Sequence, residues 1–281
     1  MPELPEVETV RQSLLDRVIG RHILALRVGD FPGVVGTEGP DVVSTRISGR
    51  QFQDIRRRGK YLFFDLDDDT SLMIHLRMTG KLSLVPRDRS ELRYQRAAIE
   101  LDNGHDLRFS DQRKFGRVLH MHPEDVTRLD ARIGIEPLSD DFTAEWLQAR
   151  LVRRTGKIKA VLLDQGLVGG LGNIYVDEAL FAAGIHPERV ANSLTLPELH
   201  RLVKAIREVL LAAIARRGTT FSSFEDADGQ SGGYGINLRV YGKGGKDRCP
   251  LCTGPLLRLI VGGRGTSYCA TCQPLSGDIE A

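Results

Sequence analysis

The sequence predicts an α+β chain of more than one domain, with a strand-rich first half, a helical second half and a cysteine-bounded hairpin near the end. Three observations carry this. Between residues 23 and 121, short apolar alternations are separated by turn formers; past Gly134 the apolar spacing changes to three and four; and all four cysteines fall between positions 249 and 272. With 281 residues, 41% of them hydrophobic, the chain is long enough for two cores of ordinary size and lacks the composition of a disordered protein.

Val7, Val10, Leu14 and Val18 repeat at helical spacing, so an amphipathic helix starts near Pro5. The clearest strands, in a sandwich or a barrel, are Ile23 to Val28, Tyr61 to Leu66, Ser71 to Leu76, Lys81 to Val85, Ala97 to Leu101 and Leu107 to Phe109. Asp67-Asp68-Asp69 and Asp102-Asn103-Gly104 lie between such stretches, where hairpin turns favour residues that tolerate positive φ. A domain boundary is expected around Ile135-Glu136-Pro137. Beyond it, Trp146, Leu147 and Leu151 mark one helix, Ile158 to Leu163 a second and Val176 to Ala183 a third. Leu196, Leu199, Leu202, Val203, Ile206, Leu210 and Ile214 trace a longer helix that stops at Gly218. The Ser-, Gly- and Asp-rich stretch Ser222 to Gly235 reads as a mobile loop, and Ser276 to Ala281 as a short disordered tail. Domains are therefore expected over residues 1–136, 137–235 and 236–281.

The formal net charge of +2 is small, but the charge is uneven. Between Ser231 and Leu275, Arg239, Lys243, Lys246, Arg248, Arg258 and Arg264 face a single acid, Asp247, and a second basic cluster is Arg56, Arg57, Arg58 and Lys60. Local basic patches on a nearly neutral chain suit a polyanion binder that must release its product, and a solvated basic face would look the same. No apolar run approaches the roughly 18 to 20 residues that cross a bilayer, and no charged segment followed by an apolar signal core opens the chain. The chain reads as cytoplasmic.

The opening residues Met1-Pro2-Glu3-Leu4-Pro5-Glu6 place a secondary amine beside two carboxylates once Met1 is removed. An α-amine has a far lower pKa than a lysine side chain, so more of it is neutral and nucleophilic, which points to Schiff-base chemistry. A helix start explains the same residues, with Pro5 in the first turn and Glu3 and Glu6 at the positive end of the dipole. This segment alone favours the structural explanation; the rest of the chain decides.

The cysteines form Cys249-Pro-Leu-Cys252, sixteen intervening residues, and Cys269-Ala-Thr-Cys272. Two close thiolate pairs complete a tetrahedron for zinc when the intervening chain folds back as a hairpin. Two disulfides would use the same residues, but nothing signals an oxidising compartment, so zinc is favoured. Four protein thiolates leave no open position, which makes the metal structural. Leu256 to Val261 and Thr266 to Tyr268 read as the hairpin strands, with Gly262-Gly263-Arg264-Gly265 at the tip.

Together, PELPEVETVR at the amino terminus, GLGNIYVDEALFAAGIHP at 170–187 and the terminal cysteine cage closely resemble formamidopyrimidine-DNA glycosylases, nearly end to end. The resemblance implies an N-terminal antiparallel β-sandwich flanked by helices, then a helix-two-turn-helix domain with a β-hairpin zinc finger. It implies excision of 8-oxoguanine and formamidopyrimidines from double-stranded DNA, followed by β,δ-elimination at the resulting abasic site. The enzyme would be a bacterial-type, nucleoid-associated monomer that meets no membrane and holds one Zn2+.

Carried over residue by residue, the resemblance implies that Pro2 attacks C1′ and that Glu3 serves as the acid/base. Glu6 would support the site, and Lys60 would lie near the lesion and its phosphate. Asn173 and Arg264 would hold flanking phosphates, with His75, Arg77 and Tyr241 as further backbone contacts. Met78, Arg113 and Phe115 would fill the space left by the extruded nucleotide, although ordinary core packing would explain Met78 and Phe115 without the resemblance. The loop from Thr219 to Tyr234 would cap the extruded base, with Thr219 and Thr220 at its start. Gln112 departs from the proline common before this arginine, which puts the posture of Arg113 in doubt. Leu4, in place of the glycine usual in the endonuclease VIII type, and the developed loop after Gly218 favour the purine enzyme. Retention of Pro2 and Glu3 argues against a non-catalytic zinc-containing DNA-binding protein.

Overall fold

A computed structural model describes residues 2–220 and 224–275. The expectations for residues 221–223, early in the Thr219–Tyr234 loop, and for the tail at 276–281 lie outside the described residues. The chain divides into two compact units, Met1–Arg132 with Ile214–Gly235, and Ile133–Ala213 with Ile236–Ala281.

The first unit runs α1 (Leu4–Val18), β1 (Ile23–Val28), α2 (Pro40–Ile47), β2 (Phe52–Arg58), β3 (Tyr61–Leu66), β4 (Ser71–His75), β5 (Gly80–Pro86), β6 (Gln95–Leu101), β7 (His105–Asp111), β8 (Arg117–Met121) and α3 (Pro123–Asp130). Two four-stranded antiparallel sheets, β1-β6-β7-β5 and β2-β3-β4-β8, share one apolar core, which makes this a sandwich rather than a barrel. Leu26, Ile99, Leu107 and Phe109 from one sheet meet Ile55, Phe64, Leu72, Ile74 and Val118 from the other. The α1 stripe Val7, Val10, Leu14 and Val18 is at most 1% exposed and closes one side of that core.

Two strands and two helices depart from the expected pattern. Along β2 only Phe52 and Ile55 are buried, and the register shifts between Phe52 and Asp54, so the alternation that marks a half-buried strand is broken. Its arginines are largely occupied: Arg56 pairs with Asp65, Arg57 with Glu8 and Arg58 with Asp130. The expected basic patch is thus partly neutralised by its own fold. Burial along the short β8 is irregular, α2 interrupts the strand run, and α3 has no buried residue to give it a readable face.

The second unit contains α4 (Ala144–Leu151), α5 (Ile158–Leu162), α6 (Asn173–Ala183), all but the last two residues of α7 (Leu196–Ala215), β9 (Leu256–Val261) and β10 (Arg264–Cys269). Thr143 Oγ1 caps α4 by accepting from Trp146 N. Between α5 and α6 the chain makes two turns, giving the helix-two-turn-helix. Gly184, at φ +69°, ends α6 in a left-handed cap. The finger hairpin pairs β9 with β10, and Arg264 is the first residue of β10, opposite Val261, rather than part of the turn.

Candidate active site

Glu3 is the N-cap of α1, and both Glu3 and Glu6 are buried, at 2% and 1% exposure. Glu6 Oε2 accepts from Glu3 N at 2.8 Å, the return half of a capping box, and Glu6 Oε1 accepts from Thr219 N at 2.8 Å. One carboxylate thereby fixes the buried Pro2-Glu3 start and the base of the distant loop. Gly218 makes this approach possible: at φ +76°, a Cβ there would lie 2.8 Å from Glu6 Oε1. The helix-start explanation and the site therefore use the same atoms.

Lys60 lies in the turn between β2 and β3 and is 6% exposed. Across the β3–β4 pair, His75 stands edge-on to Tyr61, and its Nδ1 accepts from Arg77 N at 2.9 Å. Burial, with the charges of Arg77 and Lys60 adding to it, pushes the His75 pKa down to about 3. His75 is therefore neutral, and Lys60 and Arg77 are the cations of this corner. The side chain of Arg77 is exposed, and its φ of +52° closes the tight turn to Gly80.

Met78 is half-buried, and Arg113 and Phe115 are exposed, Phe115 to 48%. Neither apolar residue belongs to the core. The Arg113 guanidinium lies 4.7 Å from the Phe115 ring centroid, so the two side chains are stacked. Arg113 N donates to Asp111 Oδ1 at 3.1 Å and to Thr79 Oγ1 at 3.2 Å, which anchors this turn without any contribution from the side chain of Gln112.

The described part of the loop after α7 is tied down at its base. Thr219 bridges Gly233, Tyr234 N donates to Gly218 O, and Thr220 Oγ1 donates to Phe224 O. Phe224 and Ala227 join the sandwich core, while the Asp226 carboxylate accepts from Asp228 N, Gln230 N and Arg217. The Thr219 N–H is committed to Glu6, so a lesion contact through that atom would have to displace this bond.

In the second unit, Asn173 opens α6 and its Nδ2 donates to Gly265 O at 3.0 Å, beside the exposed Arg264. The fold thus brings the two expected phosphate ligands to one place. Asn173 Oδ1 is buried without a partner among the described residues. Tyr241 N, with Arg239 N and Val240 N, donates to the buried Glu178 carboxylate at 2.8 to 2.9 Å. Lys159 and Asp177 form a fully enclosed ion pair, and Lys159 Nζ also donates to Thr266 Oγ1 at 2.6 Å in the hairpin. Burial pushes the Asp177 pKa up to about 6 against the pull of Lys159.

The four cysteine sulfurs lie within 4.8 Å of one another and are not disulfide-bonded. The Cys249–Cys272 and Cys252–Cys269 sulfur separations are 3.7 and 3.4 Å. A tetrahedron with Zn–S bonds of ~2.3 Å has edges of ~3.8 Å, so the donor set fits that ion. Leu251 N donates to Cys249 Sγ, an N–H aimed at a thiolate.

Sequence reasoning missed Asp111, Glu178 and the Lys159–Asp177 pair. Only Asp111 carried a local signal, an aspartate at the start of a turn, where its side chain can take the backbone N–H groups that follow. The partners of Glu178 lie 61 to 63 positions away, and Lys159 reaches Asp177 across a helix boundary and Thr266 at 107 positions.

Fold and site define a two-unit scaffold that buries an imino acid and two carboxylates at a helix start and sets Asn173 beside Arg264 on a four-cysteine hairpin. Residues 1–118 match the family model described as the formamidopyrimidine-DNA glycosylase N-terminal domain, and residues 133–225 match the corresponding H2TH domain. The formamidopyrimidine-DNA glycosylase of Herpetosiphon aurantiacus is 46% identical over 97% of this chain and 100% of its own, and that of Symbiobacterium thermophilum is 46% identical over 98% and 90%. Lactococcus lactis Fpg bound to N7-benzyl-Fapy-dG DNA superposes with a TM-score of 0.90 at 39% identity, covering 97% of this chain and 100% of that one. The same enzyme bound to abasic-site DNA gives 0.89 at 39% identity, covering 96% and 99%. The chain belongs to the formamidopyrimidine-DNA glycosylase family of DNA-repair enzymes.

Proposed function

We propose that this chain is a bifunctional DNA glycosylase and AP lyase that excises 8-oxoguanine and formamidopyrimidines from duplex DNA through a Schiff base on Pro2. The observation that carries the reading is the buried Pro2-Glu3 helix start locked by Glu6, in a chain that aligns end to end with relatives solved on Fapy-dG and abasic DNA.

In this reading the neutral Pro2 nitrogen attacks C1′, the glycosidic bond breaks and the base leaves with a proton. Glu3 assists ring opening and later proton transfers. The iminium acidifies the C2′ proton; its loss expels the 3′ phosphate, and a second elimination expels the 5′ phosphate. Lys60 serves the lesion and its phosphate, and His75, Arg77, Asn173, Tyr241 and Arg264 contact the backbone. Met78, Arg113 and Phe115 occupy the vacated stack, and the loop from Thr219 and Thr220 covers the extruded base. Cys249, Cys252, Cys269 and Cys272 hold one structural zinc, which takes no part in the reaction. As working parts, residues 1–136 are catalytic, 137–235 carry the helix-two-turn-helix and capping loop, and 236–281 the finger and tail. The partner is damaged duplex DNA, met by a monomer in the cytoplasm at the nucleoid.

Borohydride should trap a covalent complex with 8-oxoguanine duplex. Pro2→Gly or a blocked amino terminus should abolish the trap, and Glu3→Gln should lose base excision. An adduct that survives amino-terminal blocking overturns the assignment. Because an L. lactis relative has been solved with DNA containing an oxidised pyrimidine, thymine glycol duplex is the second substrate, and a strong preference for it would favour the endonuclease VIII type. Binding without any adduct would point to a non-catalytic DNA-binding protein.

A further inference from the structure

Asp111 ends β7 at 1% exposure, beneath two surface turns. Its Oδ2 accepts from Phe115 N at 2.8 Å and Gly116 N at 2.7 Å, and its Oδ1 accepts from Arg113 N at 3.1 Å and from Thr79 Oγ1. Thr79 directly follows Met78, so a single carboxylate reaches both turns. Each turn is also tight in its own right. Gly80 N donates to Leu76 O, and a Cβ on Gly80 would sit 2.3 Å from that oxygen. A Cβ on Gly116 would sit 2.3 Å from Phe109 Cζ. The Asp111 main chain is fixed as well, its N donating to Tyr94 O and its O accepting from Arg96 Nε.

We propose that Asp111 is a positioning residue that joins the Met78 turn to the Arg113–Phe115 turn, so that the three side chains enter the base stack as one preassembled wedge. The inference rests on the placement of those side chains in the function proposed above. Its physical basis is that a wedge ordered before binding loses less conformational freedom on insertion than two independent turns. Removing the carboxylate leaves the Phe115 and Gly116 N–H groups and the Thr79 hydroxyl without their acceptor and Arg113 N with Thr79 Oγ1 alone, and the turns then move to find water or other partners.

Amide exchange in the DNA-free protein tests the structural half without catalysis. Phe115 and Gly116 N–H should exchange slowly in the parent and about tenfold or more faster in Asp111→Ala, while β7 amides keep their rates. Parent amides that already exchange like a free peptide, or that do not respond, overturn the proposal. Thr79→Val removes one of the four donors and leaves the carboxylate, so it gives a milder variant should Asp111→Ala fold poorly.

Single-turnover borohydride trapping tests the functional half. Asp111→Ala should lose about 100-fold on an intact 8-oxoguanine duplex, the size of effect expected for an ångström of misplacement, yet stay within about threefold on a single strand carrying a preformed abasic site. Asp111→Asn, isosteric with one acceptor oxygen, should fall between. Equal losses on both substrates would make Asp111 a general fold residue and sink the idea. If the parent forms no adduct on either substrate, the lyase reading fails instead, and the exchange result alone decides the proposal.

Discussion

The amino-terminal site and the finger hairpin are organised by different physics. Around Pro2, the Glu6 carboxylate is held by backbone N–H groups from residues 3 and 219. In the second unit, an enclosed Lys159–Asp177 pair and four clustered thiols hold the hairpin. Backbone donors are fixed by the fold and do not titrate. A buried ion pair and a thiolate cage depend on charge and metal, and they fail when either is removed. A metal held by the four thiols would make the hairpin depend on a supply that the Glu6 contacts do not need.

Metal removal is the severest way to break that contrast. Chelation should unfold the 249–272 hairpin, since structural zinc contributes about 10–16 kcal/mol in small fingers, and should abolish tight DNA binding. The sandwich should keep its circular dichroism, and Pro2 should remain trappable on concentrated abasic DNA. Simultaneous melting of the sandwich would erase the distinction. Next in size is Lys159→Met, which strands a buried carboxylate and should cost about 3–5 kcal/mol, with Lys159→Met plus Asp177→Leu less harmful than the single change. Trp146, the only tryptophan of the chain, lies in α4 and reports this unit in urea titrations.

His75 sharpens the comparison from the other side, as a strongly shifted group beside Lys60 in the first unit. Its folded pKa of about 3 lies below the ordinary value of 6.5, so the unfolded chain binds the proton first. The stability tied to neutral His75 is complete above pH 6.5 and declines as pH falls towards 3, by up to about 1.4 kcal/mol per pH unit. Denaturant titrations of the parent at pH 7 and 4.5 should show this decline, and His75→Gln should flatten it. An unchanged acid limb in the variant would assign the decline to other groups. Smallest is Arg264→Ala, which should weaken damaged and undamaged duplex alike and reduce the salt slope by about 1. An unaltered slope would remove this arginine from the phosphate contacts.

Where an apolar run was bounded by turn formers, the sequence was legible to the residue: β1, β3 and β9 have the expected bounds. It failed in β2, where two buried apolar residues stand among charged ones, and where α3 buried nothing. The candidate residues could be named because Pro2, the GNIY segment and the cysteine pairs are compact motifs. Their supports could not. Glu6 reaches 213 positions along the chain and Glu178 more than 60, and no local pattern encodes such distances. The arginines at 56–58 show the converse error, since a basic run says nothing about the acids that the fold will set against it.

The reach from Glu6 to Thr219 also sets an order of events during synthesis. The amino terminus leaves the ribosome first, yet the last bond of its surroundings waits for a segment made 213 residues later, an interval on the order of 10–40 s at ordinary elongation rates. A nascent chain halted before that segment lacks one of the two N–H groups that hold Glu6, so the Pro2-Glu3 start is finished only after Thr219 has been made.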